Sequence, residues 1–306
     1  MHTDNHPAGD PGTATTRTLT APPALAPLLA RGAALSPFKR PRAGAGFPRT
    51  RLVLPEVRID LARLAAYERV CGFGATGEDA LPVTYPHVLA FPLAMRLMAG
   101  RAFPLPLLGL VHTSIEITRH RALAATGTYE LAVHVEDLVP HRRGTEAVVV
   151  TRARDGERTV WESRSTYLAR HRTDQEQKQE KEEGKEEEGR RERGAGVRQP
   201  DAVRAEWRLG GDVGRRYAAV SGDRNPIHLH PLTARVFGFP RAIAHGMWTV
   251  ARCLAERPVP AAAHVRAEFR APVLLPSTVT YAAGGPAFAL RGGERLHLTG
   301  EVRELA

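Results

Sequence analysis

The chain is predicted to be α+β, one long helix packed on a curved antiparallel sheet, built twice over, and three observations lead there. Two hexads match: Tyr67-Glu-Arg-Val-Cys-Gly72 and Tyr217-Ala-Ala-Val-Ser-Gly222. Each is followed by a helix-like stretch, Ala90-Phe-Pro-Leu-Ala-Met95 in one case and Ala244-His-Gly-Met247 in the other. Each half then ends in alternating apolar and polar segments, the period of half-buried strands. The shared order of elements points to an internal duplication.

Taken in order, residues 1–45 are rich in Pro, Ala, Gly and Thr and lack a basic-then-apolar signal design, so they are expected to form a disordered leader. Residues 46–170 form the first repeat. Its strands are expected around Val111, Ile115 and Ile117, around Leu131, Val133 and Val135, and near Val160–Leu168. Residues 171–198 become Gln, Glu, Lys, Arg and Gly with almost no apolar side chain. Such a tether cannot bury enough surface to offset its ordering entropy and is expected to be a charged, low-complexity linker. Residues 199–306 form the second repeat. Ile243, Met247, Val250, Ala251 and Leu254 recur at helical spacing. Val265, Ala267 and Phe269, then Leu296, Leu298 and Val302, alternate with charged neighbours as strands do.

At 306 residues the chain is long enough for two cores. No stretch approaches the ~18 apolar residues of a membrane span. Cys71 and Cys253 have no metal-type spacing and read as reduced core residues of a cytoplasmic protein. The formal charge is +10, yet Lys occurs only at 39, 178, 181 and 185, so Arg carries nearly all of it. No basic run with interleaved aromatics is present, and no nucleic-acid partner is expected. The phosphates of an acidic carrier would use the same arginines, with Arg224, Arg235 and Arg241 as candidates beside solvated-surface roles.

The chemistry gathers in Ser221-Gly-Asp-Arg-Asn-Pro-Ile-His228. Asp223, Asn225 and His228 put a carboxylate, an amide and an imidazole around a Pro-fixed turn. The alternative is structural, since Asp-x-Asn-Pro is also a turn with a helix cap. An ordinary His is poised to exchange protons at neutral pH while Asp is a standing acceptor. A water held between them would lose a proton to the carboxylate while the imidazole handles the α-proton, assistance worth about 10²–10⁴-fold. Downstream, Gly246 begins an apolar helix whose first N–H groups have no intrahelical partner. Aimed at a thioester carbonyl, that N–H would serve as an oxyanion hole, worth roughly 3–4 kcal/mol. Close helix–sheet packing is the other role for this glycine. His245 reads as a capping, packing or supporting residue. His230 lies two residues beyond His228, but no Cys or His follows at ligand spacing, so no metal is expected.

The segments Tyr217-Ala-Ala-Val-Ser-Gly-Asp-Arg-Asn-Pro-Ile-His228 and Phe237-Gly-Phe-Pro-Arg-Ala-Ile-Ala-His-Gly-Met247 closely resemble the hydratase motif of the MaoC-like, type 2 (R-specific) enoyl-CoA hydratases. Leu81-Pro-Val-Thr-Tyr-Pro-His-Val-Leu-Ala-Phe-Pro92, with Gly109-Leu-Val-His112, is similar to the amino-terminal half of their two-domain members. The resemblance implies a double hotdog fold and reversible syn hydration of trans-2-enoyl thioesters to (R)-3-hydroxyacyl thioesters. Asp223 and His228 would be the catalytic pair, supported by Asn225 and Ser221, with the Gly246 N–H as oxyanion hole. It further implies a CoA or acyl-carrier-protein substrate and no metal or redox cofactor, and it leaves a homodimer open. Some members carry a Ser where this chain has Ala251, so Thr249 or Asn225 is expected to support the Asp, beside His245. In the first repeat Phe73 aligns with Asp223 and Phe91 with His245, which implies a non-catalytic half that completes the sheet and shapes an acyl tunnel. A thioesterase on the same fold, using Asp223 as base or nucleophile, and a non-catalytic acyl-thioester-binding subunit are the alternatives.

Overall fold

The computed structural model describes residues 15–42, 44–74, 78–172, 200 and 202–305. Ahead of the repeats come β1 (Thr16–Thr18) and α1 (Leu25–Leu35); the first repeat then runs β2 (Arg51–Arg58), α2 (Leu61–Cys71) and α3 (Tyr85–Met98). It continues with β3 (Val111–Arg119), β4 (Thr128–His141), β5 (Gly144–Asp155) and β6 (Arg158–Arg170). The second runs β7 (Val203–Leu209), α4 (Val213–Ser221), α5 (Pro226–Leu229), α6 (Pro231–Val236) and α7 (Gly246–Ala255). It ends in β8 (Ala263–Phe269), β9 (Ser277–Gly284), β10 (Ala287–Gly292) and β11 (Arg295–Glu304).

All the strands belong to one sheet, in the order β1-β2-β4-β5-β6-β3-β8-β11-β10-β9-β7. Read inward from each end, and leaving β1 aside, the two halves have the same order, so the duplication is visible in the topology. They meet at the antiparallel pair β3–β8, with Ser114 opposite Glu268 and Arg119 opposite Ala263. The buried Arg119 guanidinium strengthens that seam by donating to the carbonyls of Val259 and Ala261, each at 3.0 Å. β8 shows why the pattern was readable: Ala263, Val265 and Ala267 are buried while Arg266 between them is exposed.

Each half wraps its central helix. α3 is buried on nearly every side, as expected of a helix apolar all round. α7 buries Met247, Trp248, Val250, Ala251, Cys253 and Leu254. The shorter helices α2 and α4 pack together, and their ends are cross-tied. Arg63 Nε donates to Val220 O at 2.8 Å, and Trp248 Nε1 donates to Val70 O at 2.9 Å. Tyr67 and Tyr217, the first residues of the two hexads, face each other with ring centroids 6.1 Å apart. Both hexads end alike: Gly72 and Gly222 sit in the left-handed region at φ 81° and 82°, which a residue without a Cβ enters at no steric cost. Phe73 therefore follows its helix as Asp223 follows its own.

Three expectations are corrected. The leader is ordered over the residues described within it: β1 pairs in parallel with β2, and α1 packs on α3 through an apolar face that the Pro- and Ala-rich composition concealed. Residues 1–14 and the tether from 173 to 199 lie outside the described residues. The second correction is of register. α3 begins at Tyr85 with Thr84 as its N-cap, and α7 begins at Gly246 with His245 as its N-cap. The counterpart of His245 is therefore Thr84; Phe91 lies in the second turn of α3. The third is that the sequence pattern does not reveal β5, which pairs along its whole length between β4 and β6. Cys71 and Cys253 are buried free thiols. Among the described residues no helix is long and apolar enough to cross a membrane.

Candidate active site

Asp223, Asn225 and His228 leave α4 on a turn held together by its own polar groups. The Asp223 N–H donates to Ser221 Oγ at 3.2 Å, and the Asn225 N–H donates to Asp223 Oδ1 at 3.1 Å. The Asn225 side chain then caps α5, accepting from the Ile227 N–H at 3.4 Å. Asn225 thus supports the carboxylate through its backbone and the helix through its side chain. α5 lies so close to α4 that a Cβ on Gly214 would overlap the His228 carbonyl.

His228 is buried, and its Nδ1 faces the Ile243 carbonyl at 2.8 Å. A carbonyl can only accept, so Nδ1 carries the hydrogen and Nε2 presents a lone pair. Burial holds the ring below the usual His range, partly offset by the Asp223 charge, and keeps it neutral at pH 7.

His245 packs on it, ring centroids 3.6 Å apart and planes 25° from parallel. Its Nε2 donates to the Asp223 backbone carbonyl at 2.9 Å and lies 3.8 Å from Oδ2. The His245 side chain therefore does not cap α7; it clamps the turn that carries Asp223. The carboxylate remains 28% exposed while His245 is 3% exposed, so the acid is open to a ligand and its clamp is not. Thr249 is turned away from Asp223: its Oγ1 donates to Gly246 O at 2.6 Å. The Gly246 N–H begins α7 without an intrahelical acceptor, and Phe269 packs over the residue so closely that a Cβ would sit 2.8 Å from the ring. Both roles expected of this glycine, open N–H and close packing, coexist.

Ligand atoms of Asp223, His228 and His245 all lie within 4.8 Å of one another. Two of the nitrogens that could hold an ion, His228 Nδ1 and His245 Nε2, already donate to carbonyls.

The first repeat also supplies polar groups that sequence reading missed. His87 and His112 are stacked at 6.0 Å, and His112 stacks on Tyr167 at 4.5 Å and meets Phe269 at 4.9 Å. His87 Nδ1 and His112 Nε2 are buried with no hydrogen-bond partner among the described residues. The available signal was a His inside the apolar run Tyr85–Met98 and another directly after the apolar residues Leu110 and Val111. His87, Tyr167 and Asp223 line the same cavity, and the Asp223 charge favours protonation of both side chains. All these groups border one cavity of about 990 Å³, the upper end of the range for small-molecule sites. Arg143, Arg170 and Arg224 are exposed at its edge. Of the three arginines named from the sequence only Arg224 borders it; Arg235 and Arg241 donate to the carbonyls of Pro240 and Pro276.

Burial pushes His87 down to about 4, and His112 and His245 fall well below the ordinary 6.5. Their folded pKa values lie under the unfolded ones, so between the two the unfolded chain binds more protons. Stability is complete above about pH 6.5 and is lost as pH falls, His87 contributing down to about pH 4, with each group costing up to about 1.4 kcal/mol per pH unit. Thermal melts between pH 7.5 and 4.5 should show a falling Tm, and His87→Phe should flatten the slope.

An eleven-stranded sheet in two halves of the same strand order, each wrapped on a helix, is a double-hotdog architecture, and an acid and a neutral imidazole gather at the start of its second central helix. Residues 197–284 match the family described as MaoC like domain. The chain is 36% identical over 266 residues to 3-hydroxyacyl-thioester dehydratase X of Mycobacterium tuberculosis, covering 84% of this chain and 90% of that one. The crystal structure of HtdX from the same organism superposes with a TM-score of 0.69 at 35% identity, over 83% of this chain and all of that one. A MaoC-like dehydratase from Phytophthora capsici shares the fold, with a TM-score of 0.64 at 18% identity, over 85% of this chain and 96% of that one. The chain belongs to the MaoC-like dehydratase family.

Proposed function

We propose that the protein interconverts trans-2-enoyl thioesters and (R)-3-hydroxyacyl thioesters, with Asp223 and His228 as the catalytic pair. The observation that carries this reading is the convergence, in one cavity, of an accessible carboxylate, an imidazole Nε2 lone pair and the open N–H of Gly246. In hydration, a water held by Asp223 gives its proton to His228 Nε2 as its oxygen bonds to the β-carbon. The π electrons move onto the thioester oxygen, where the Gly246 N–H and the start of α7 stabilise the charge. The imidazolium then returns the same proton to the α-carbon on the same face, and the carboxylate offsets its charge meanwhile. One water is consumed, its hydrogen and hydroxyl end on adjacent carbons, and the enzyme is regenerated. Dehydration is the reverse.

The tautomer imposed by Ile243 O alters the division expected from sequence. A neutral His228 begins as base toward the water, and Asp223 orients and compensates.

His245 and Ser221 are positioning residues for Asp223. The first repeat is non-catalytic, since Phe73 stands where Asp223 does, and one active site per chain follows. Arg143, Arg170 and Arg224 suit the phosphates of a CoA or acyl-carrier-protein substrate.

The test is purified protein with crotonyl-CoA. Absorbance of the conjugated enoyl thioester should fall, and chiral analysis should find (R)-3-hydroxybutyryl-CoA. Release of free thiol, read with a thiol-reactive dye, would instead identify a thioesterase; the (S) product would overturn the stereochemistry.

A further inference from the structure

Helix α1 lies ahead of both repeats, yet it forms part of the cavity. Its non-exposed residues, Leu25, Leu28, Leu29, Gly32, Ala33 and Leu35, fall on one helical face. The two ends of the helix are fixed at opposite ends of the site. At the first, Leu25 Cδ1 comes within 2.5 Å of where a Cβ on Gly222 would stand, one residue before Asp223. At the far end a Cβ on Gly32 would overlap Leu107 Cδ2 and lie 3.2 Å from Ala99 Cβ, just beyond α3. Ser36 Oγ locks this end, donating to Gly32 O at 2.7 Å and accepting from the Leu108 N–H at 3.0 Å. Lys39 Nζ adds bonds to Met98 O at 3.2 Å and Gly100 O at 3.1 Å, satisfying carbonyls at the end of α3.

Between these anchors Leu29 and Ala33 line the cavity with Val88, Phe91, Met95 and Met98 of α3. Those α3 positions share one stripe, and that stripe continues from His87, which the Asp223 carboxylate reaches electrostatically. The stripe carries no polar group, so beyond His87 the space suits a hydrocarbon.

We propose that α1 is the roof of an acyl channel and that Leu29 and Ala33 determine the longest acyl group accepted. This rests on the thioester reading above. The size follows from the helix. From His87 to Met98, α3 advances about 16 Å at about 1.5 Å per residue. An extended chain gains about 1.2 Å per bond, since the three-bond peptide repeat covers about 3.6 Å. The channel therefore takes tails of about a dozen carbons.

The experiment is calorimetric binding of saturated, unreactive thioesters, butyryl-CoA, dodecanoyl-CoA and hexadecanoyl-CoA, to the wild-type chain and to Ala33→Phe and Leu29→Ala. In the wild type dodecanoyl-CoA should bind more tightly than butyryl-CoA. Ala33→Phe should lower the dodecanoyl-to-butyryl affinity ratio by roughly tenfold or more, the equivalent of about two methylenes excluded. Leu29→Ala should shift the preference the other way, raising hexadecanoyl-CoA relative to dodecanoyl-CoA, and it tests the roof even if the bulky variant does not fold. A ratio equal to wild type in the folded variants would overturn the proposal. Binding that follows this pattern without turnover of crotonyl-CoA would sink the hydratase reading and leave the roof standing; turnover with unaltered ratios would do the opposite.

Discussion

Replacing Asp223 with Asn is expected to lower kcat/KM for crotonyl-CoA by at least about 10²-fold, the scale of general acid–base assistance. The substitution keeps the volume of the side chain and an oxygen able to accept from the Asn225 N–H, the contact seen at 3.1 Å. The His245 clamp reaches the backbone carbonyl of residue 223 and is indifferent to the change. The turn should stand, and Tm at pH 7.5 should stay within a few degrees. What disappears is the negative charge that holds the water and offsets the imidazolium. A variant that keeps more than a tenth of the wild-type activity would remove Asp223 from the mechanism.

The second large effect concerns His228. His228→Gln removes the Nε2 base, while an amide of similar reach can still donate to the Ile243 carbonyl. A loss of at least about 10²-fold in kcat/KM is expected again. The pH profile separates this loss from a structural one. Wild-type activity requires the neutral ring, so it should fall as pH drops through the folded pKa of His228, which burial places below 6.5. The residual activity of the Gln variant should lose that limb and run flat between pH 7 and 5. A limb retained in the variant would assign the titrating group elsewhere, with buried His87, His245 and His297 and half-buried His112 bordering the same cavity.

His245 holds the turn that carries Asp223 through the Asp223 backbone carbonyl. Its ring fills the space between Tyr217, at 4.9 Å, and His228, at 3.6 Å, and its one donated hydrogen bond fixes where Asp223 sits. Three imidazoles around the site, those of His87, His112 and His245, each bury a nitrogen with no partner among the described residues. An unpaired buried nitrogen costs about 1–3 kcal/mol, which a bound water or substrate oxygen would offset.

Much of this was legible in the chain because the signals are local. The paired hexads, the Asp-x-Asn-Pro turn and the Gly246 helix start each occupy a few consecutive residues, and their spacing carries the duplication, the acid/base pair and the open N–H. The alternation in β8 was equally plain, since one face of the strand meets a core; in β11 it held less well, because His297 is buried beside Leu298 while Leu296 is only half-buried. β5 was less so: its burial runs through consecutive residues, Val149 to Thr151 among them, where it is covered on both sides and the period of two is blurred. The leader misled for a related reason, as the apolar face of α1 is diluted by Pro and Ala and means something only once α3 lies beneath it.

What the sequence determined alone was the repeat, the class of fold and the residues of the turn from Asp223 to His228, because backbone propensity and hydrophobic period act over a turn or a strand. What only the tertiary structure decided was how those residues are used. Ile243 O chooses the tautomer of His228, His245 holds Asp223 by its carbonyl, and Thr84 rather than Phe91 is the partner of His245 in the repeat. The groups of the first repeat that line the cavity with Asp223, and the helix that roofs it, are also products of assembly. Each depends on contacts between segments far apart in the chain, where packing geometry, and not local pattern, sets the distance.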